Sequence, residues 1–176
     1  MAINTSIYGS LDEADEYFGS RFHEMAWTGA TLANHRKALI AARSIIDALN
    51  YKGVKHNVYT LCGPAPETSG VSQDDIQAAE ASQPLEFPRG DDMEVPEAIR
   101  IAEYEIAHSL LDGKDPELEL ENLAVSAMGY GAVKTSYERS QLPIEHIINL
   151  VPSSVAWRLL KPFLRDSDAL KLSRLS

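Results

Sequence analysis

The chain predicts a mainly α-helical protein, a bundle of about four to five helices with a small β-hairpin or extended insertion and an extended C-terminal tail. Three observations lead there. Aromatic residues make up only 7% of the 176 positions while alanine is plentiful, a balance that favours helices over a β-sandwich. Ser10-Leu11-Asp12-Glu13 is a capping box, in which the serine oxygen takes an amide hydrogen and the glutamate reaches back to the serine amide. Val95, Ile99, Ala102, Ile106 and Leu110 follow one another at helical spacings of three and four, which draws a single apolar stripe.

The elements follow in order. Behind the capping box, Leu11, Ala14, Phe18 and Phe22 form one stripe, broken at Trp27-Thr28-Gly29. A second helix is expected from about Thr31 to Leu49, burying Leu32, Leu39, Ala42, Ile45, Ile46 and Leu49. Gly53 offers the left-handed turn that ends it. Val54 to Leu61 reads as a strand, and the proline- and glycine-rich run from Cys62 to Gly70 as a loop. Ser72 caps a short helix reaching about Ala81. Leu85 to Gly90 is expected to be extended, because Pro88 disfavours helical geometry at Phe87. Pro96 and Glu97 suit the first turn of the helix that ends near Asp112-Gly113. A short helix is expected from Pro116 to Ala124, and a glycine-hinged hairpin or edge strand over Gly129 to Tyr137. Leu142-Pro143 opens a further helical stretch. A last helix carries Val155, Trp157, Leu159, Leu160 and Phe163, with Trp157 in the core and Pro162 limiting it. The organisation is therefore one helical domain over residues 1–164 and a tail over 165–176.

Composition narrows the function. Cys62 is the one cysteine, which excludes an intrachain disulfide framework and fits a reducing compartment. No basic segment followed by an apolar run opens the chain, so no secretory signal is expected, and no apolar run is long enough to cross a membrane. The net charge is −10, which disfavours general binding to phosphate backbones. The charge is also divided. Residues 21–58 carry Arg21, Arg36, Lys37, Arg43, Lys52 and Lys55 against Glu24 and Asp47, whereas residues 64–121 hold sixteen acids against Arg89, Arg100 and Lys114. Opposite signs on one small chain suit packing between identical copies in a ring, and equally suit two solvated faces. Arg36, Lys37, Arg43, Glu103 and Glu105 are the expected inter-subunit residues.

Catalytic and metal chemistry finds little support. Glu105-Ile106-Ala107-His108 has the Glu-x-x-His spacing of a di-iron bundle, but only one copy is present and such sites need two. Glu105 and His108 are expected at the solvent side or an interface. Cys62 has no second cysteine for zinc or redox pairing, and as a nucleophile it would need a histidine, of which His56 is the nearest in sequence. Gly129-Tyr130-Gly131 lacks the third glycine or the Lys-Ser/Thr of a phosphate loop. No catalytic residue, cofactor or metal site is therefore assigned. For single-stranded nucleic acid, Arg36, Lys37, Arg43, Tyr51, Lys52, Lys55, His56 and Tyr59 form the one basic and aromatic candidate surface. Leu170, Leu172 and Leu175 sit in a polar C-terminal run without helical spacing and suit an intermolecular groove or strand edge.

The order of several short segments resembles a known family. They are Tyr8-Gly9-Ser10-Leu11-Asp12-Glu13-Ala14-Asp15-Glu16-Tyr17-Phe18, Trp27-Thr28, Ile46-Asp47-Ala48-Leu49 and Leu85-Glu86-Phe87-Pro88-Arg89. Val95-Pro96-Glu97-Ala98-Ile99 follows through Glu105-Ile106-Ala107, then Gly131-Ala132-Val133-Lys134-Thr135-Ser136-Tyr137 and Leu159-Leu160-Lys161-Pro162-Phe163-Leu164. In this order the chain is similar to helical head–tail connector (adaptor) proteins of tailed phages, and to phage proteins often labelled DnaT-like single-stranded-DNA-binding proteins. The resemblance implies a mostly helical subunit of a dodecameric ring on the portal protein. That ring extends the DNA channel and offers a docking surface to a downstream tail or neck protein. Genomic DNA would pass through it without specific binding, and an acidic lumen suits that passage. By the same resemblance the C-terminal tail reaches onto the portal, giving Leu170, Lys171, Leu172, Arg174 and Leu175 as portal-docking residues. The protein would then belong to the virion at the head–tail junction, made in the bacterial host cytoplasm, with no membrane partner. The segment between Gly53 and Gln83 is longer than in the compact form of such adaptors. The alternative implied by the second label is a single-stranded-DNA-binding replication accessory.

Overall fold

A computed structural model describes residues 6–22, 24–123 and 145–165, together with the strand backbones of 127–130 and 133–136. The protein is mainly α-helical. The described elements are α1 (Leu11–Gly19), α2 (Met25–Thr28), α3 (Leu32–Asp47), α4 (His56–Cys62), α5 (Gln73–Ser82), α6 (Glu97–Leu111), α7 (Pro116–Leu123), β1 (Ala127–Tyr130), β2 (Val133–Ser136), α8 (Glu145–Ile148) and α9 (Ser154–Leu160). Short 3-10 turns cover Pro66–Thr68 and Lys161–Phe163. The helices are more numerous and shorter than the sequence predicts.

α6 is the axis. It packs against α3 on one side and α9 on another, with α2 also touching it. Ile99, Ala102, Ile106 and Ala107 are fully enclosed, as are Leu39, Ala42 and Ile46 of α3 and Ala156 and Leu160 of α9. Alanines at 38, 42, 102, 107 and 156 let these helices approach closely, since interaxial distance is set by the side chains at the contact. α4 and α5 pair beside this core. β1 and β2 run antiparallel, with Ala127 opposite Ser136 and Tyr130 opposite Val133.

Local signals explain most helix starts. Ser10 and Glu13 make both bonds of the capping box. Thr31, Ser72 and Ser153 each accept an amide three residues on, at the starts of α3, α5 and α9. Pro96 stands just before α6, where its missing amide hydrogen is not needed. Gly53 and Gly113 have positive φ of 69° and 84°, as the turns after α3 and α6 require.

Four expectations are corrected. Val54 to Leu61 is not a strand: Lys55 makes a single antiparallel bridge with Arg89, and the helix α4 begins at His56. The His56 amide is taken by Pro88 O at 3.0 Å, which caps the new helix in place of continuing a ladder. Phe22 leaves the α1 stripe because α1 ends at Gly19, and its ring is 89% exposed. Leu32 is likewise exposed at the first turn of α3. Trp157 packs against the core only in part, since its indole N–H turns outward to Glu145 Oε2 at 3.1 Å.

The segment Leu85 to Arg89 is an anchor. Phe87 is buried edge-on to Tyr51, Tyr8 and Phe163, with ring centroids 4.7, 6.0 and 5.6 Å away. Arg89 donates to Lys52 O and Gly53 O and pairs with Glu86, so it fastens the turn between α3 and α4. The Phe87–Pro88 peptide is cis. The chain returns to the same turn at its far end: Leu164 bridges Tyr51, and the Arg165 amide donates to Asn50 O at 3.0 Å.

Candidate assembly surface

The polar side chains at the middle of α6 meet the segment from Tyr8 to Arg21. Glu103 is 0% exposed; its carboxylate accepts the Tyr8 amide at 3.0 and 3.1 Å and the Gly9 amide at 3.0 Å. Burial, the dominant influence, pushes its pKa up to about 7 against the opposing pull of those amides. One turn away, Tyr104 donates to Glu13 Oε2 at 3.0 Å, and Arg100 pairs with Glu13 Oε1 at 2.6 Å. The Tyr104 hydrogen bond is the leading reason that Glu13 titrates below the ordinary glutamate range. Glu105, 3% exposed, takes the Tyr17 hydroxyl at 2.6 Å and forms an ion pair with Arg21. Burial and then that Glu105 bond push Tyr17 up to about 12.

Tyr8 carries this strap to the rest of the core. Its hydroxyl bonds to Asp47 at the end of α3 and accepts the Glu86 amide at 3.1 Å. Burial above all, with Asp47 beside it, holds this phenol far above its usual range. Asp47 in turn pairs with Arg43 at 3.1 Å.

The expected inter-subunit residues therefore separate. Glu103 and Glu105 are not surface groups; both are consumed inside the subunit, and that expectation is corrected. The reason is that the N-terminal segment wraps around α6, meeting Glu103 with the Tyr8 and Gly9 amides, Tyr104 with Glu13, and Glu105 with Tyr17 and Arg21. Buried carboxylates are tolerated only where donors meet them, and backbone amides, a phenol and a guanidinium do so here. Arg43 is half-buried and held to Asp47 within α3. Arg36 and Lys37 are exposed on α3. The residues expected to dock on the portal, Leu170, Lys171, Leu172, Arg174 and Leu175, lie outside the described residues, as do Leu142, Pro143 and Gly131.

The candidate nucleic-acid surface is also dispersed. Tyr51 is buried with its hydroxyl donating to Ile46 O at 2.9 Å, so its ring is closed to a base. Lys55 pairs with Glu86 at 3.2 Å, and Lys52 donates to Pro162 O. His56 and Cys62 are engaged as well. His56 lies against Gly90 O at 3.1 Å and the Thr60 hydroxyl at 3.3 Å, while the Cys62 thiol donates to Val58 O. His108 stacks on Phe18, and burial lowers its pKa. Among the described residues, no group of three or more His, Cys, Asp or Glu side chains is placed to hold a metal. No helix among them is long and apolar enough to cross a membrane.

What faces outward is different in kind. Acids are exposed on α5 (Asp74, Asp75, Glu80), between Asp91 and Glu97, and on α7 (Glu117, Glu121). Met25 on α2 is 81% exposed, near in sequence to exposed Phe22 and Leu32. α2 is locked to α3 by the stack of Trp27 on His35, 4.1 Å apart and nearly parallel, so Met25 and the first turn of α3 are held together. A second apolar feature is a groove of about 410 Å³ between the end of α3 and the turn after α8, lined by Ile45, Ala48, Leu49, Ile148 and Leu150. Ser44 and Asn149 complete it without adding charge. Large exposed side chains of this type are what sequence periodicity misses, because it assigns every apolar residue to a core.

Comparison of the chain with protein-family models, with curated proteins and with solved structures finds no match.

Proposed function

We propose that the chain is a structural subunit of a tailed-phage neck, forming a ring on the portal protein, extending the DNA channel and presenting a docking surface to the next tail component. The observation that carries the reading is the division of polar groups. Glu103, Glu105, Tyr8 and Asp47 are spent on holding the fold, while the outward groups include many acids, the basic pair Arg36 and Lys37, and exposed apolar side chains. A surface of that kind recognises other proteins by charge and by anchoring side chains. The ordered resemblance of residues 8–164 to connector proteins supports the same reading. Arg36 and Lys37 meet the acid-rich face of a neighbouring copy, the segment holding Leu170, Lys171, Leu172, Arg174 and Leu175 reaches onto the portal, and DNA slides past acids without specific binding.

The test is co-sedimentation of the purified protein with portal rings from the same particle. The expected result is a stoichiometric ring-on-ring complex that dissociates with salt. A chain that stays monomeric and never binds the portal contradicts the reading. A second reading, a single-stranded-DNA-binding replication accessory, is favoured only by exposed Arg36 and Lys37. It requires a salt-sensitive gel shift that is lost on Arg36→Glu with Lys37→Glu; the neck reading expects no shift at low salt.

A further inference from the structure

We propose that the groove between α3 and the turn after α8 is the seat of this chain's own C-terminal leucines, Leu170, Leu172 and Leu175, in the free subunit. Three observations converge on that occupant. The first is where the described chain ends. Leu164 bridges Tyr51, and the Arg165 amide donates to Asn50 O at 3.0 Å. Asn50 directly follows Leu49, which lines the groove. The segment that follows Arg165 therefore starts beside the groove, and five residues of extended chain reach about 17 Å, enough to bring Leu170 over it.

The second observation is the character of the groove. Ile148 is 57% exposed and Leu150 38%, beside Ile45, Ala48 and Leu49, and none of the described residues that line the space is charged. The tail matches it. Between Asp166 and Ser176 the large apolar residues are these three leucines, separated by Lys171 and Arg174. In an extended chain Leu170 and Leu172 would fall on one side with Lys171 on the other, so these two leucines can enter while Lys171 stays in water.

The third observation is Leu150 itself. After α8 the Val151 amide bonds to His146 O at 2.8 Å and the Leu150 amide to Ile147 O at 2.9 Å. This is a Schellman turn, whose left-handed position ordinarily belongs to glycine. Leu150 holds it with φ of 57°. A leucine is strained there, and its side chain goes not into the core but to the wall of the groove. The side chain is worth its strain if something covers it. The proposal stands independently of the neck reading, since it concerns an isolated subunit.

Methyl NMR of the full-length chain tests it. The expected result is a set of nuclear Overhauser contacts from the Leu170, Leu172 or Leu175 methyls to Ile45, Ile148 or Leu150, independent of concentration. Leu170→Ser with Leu172→Ser and Leu175→Ser should erase them and shift the Ile45, Leu49 and Ile148 methyls alone. Leu150→Gly should keep or raise the melting temperature while weakening the same contacts. Three results overturn the proposal: tail leucines with free-peptide shifts and no contact to the groove; contacts to another part of the surface; or contacts that appear only between differently labelled molecules, which would make the occupant a second copy.

Discussion

The carboxylate of Glu103, enclosed at the centre of α6, accepts the backbone amide of Tyr8, a residue 95 positions earlier in the chain. Around that bond the Tyr8–Arg21 segment lies across α6 as a strap, and the same Tyr8 reaches α3 through Asp47 and the Phe87 anchor through Glu86. A buried ionisable group with such a role gives a signature in the pH dependence of stability.

Glu103 titrates at about 7 in the folded state, against about 4.3 for an unstructured glutamate. The folded chain therefore holds this proton more tightly than the unfolded one, so the stability linked to it is greatest below the unfolded pKa and is lost as pH rises through the folded one. Urea unfolding at a series of pH values should show wild type losing stability relative to Glu103→Gln between pH 5 and 7.5, by on the order of 1–3 kcal/mol, and then levelling. A difference that is flat or grows with pH would remove the assignment. The comparison with Gln cancels Glu13, whose lowered pKa acts in the opposite direction at acid pH.

Gly9 has no room for a side chain. A Cβ built there would lie 1.9 Å from Tyr104 Oη and 2.6 Å from Cζ. Because the Tyr104 hydroxyl is held by Glu13, the ring cannot simply swing aside. Gly9→Ala should cost about 1–3 kcal/mol by denaturant titration, and Tyr104→Phe should recover part of that loss in a double-mutant cycle. Strict additivity of the two would contradict the close approach.

Two fully enclosed isoleucines of α6 test the core. Ile99→Asp or Ile106→Asp leaves an unpaired carboxylate where neither side chain has any exposure. Each should cost several kcal/mol, enough to abolish a cooperative melt. A soluble variant with a normal melting curve would refute the packing of α6 against α3 and α9.

Arg21 lies at the rim, and its effect should be smaller. Its side chain is one-third exposed, whereas its partner Glu105 is buried. Arg21→Ala strands part of that carboxylate, although Tyr17 still donates to it. After allowance for solvent screening, a loss of about 1–2 kcal/mol is expected in thermal or urea unfolding, and Arg21→Lys should restore some of it.

Much of the fold was legible because its causes are local. Ser10 and Glu13 announce α1, Thr31 and Ser72 start α3 and α5, and Val95 to Leu110 mark α6 by spacing alone. The burial of Glu103 and Glu105 was not legible, because their partners lie more than eighty positions away in Tyr8, Tyr17 and Arg21. α4 was misread for a related reason: Val54 to Leu61 has strand-like composition, but the chain pairs only at Lys55 and then coils against α5. The outward surface is the least legible part. Nothing local distinguishes Phe18, which is buried, from Phe22, which stands in solvent after the helix has ended.

In the proposed ring, Arg36 and Lys37 should separate folding from assembly. Both are exposed on α3, so Arg36→Glu with Lys37→Glu should leave the melting temperature within a few degrees of wild type. Sedimentation of the variant with portal rings should show weaker ring formation than wild type. Equal losses of stability and assembly would instead make these residues part of the fold.

The most direct measurement for the neck reading is immuno-electron microscopy of intact tailed particles, using an antibody raised against this chain. The account predicts label confined to the junction between head and tail. Particles that carry no label there, with the protein recovered only from replicating DNA in infected cells, would contradict it.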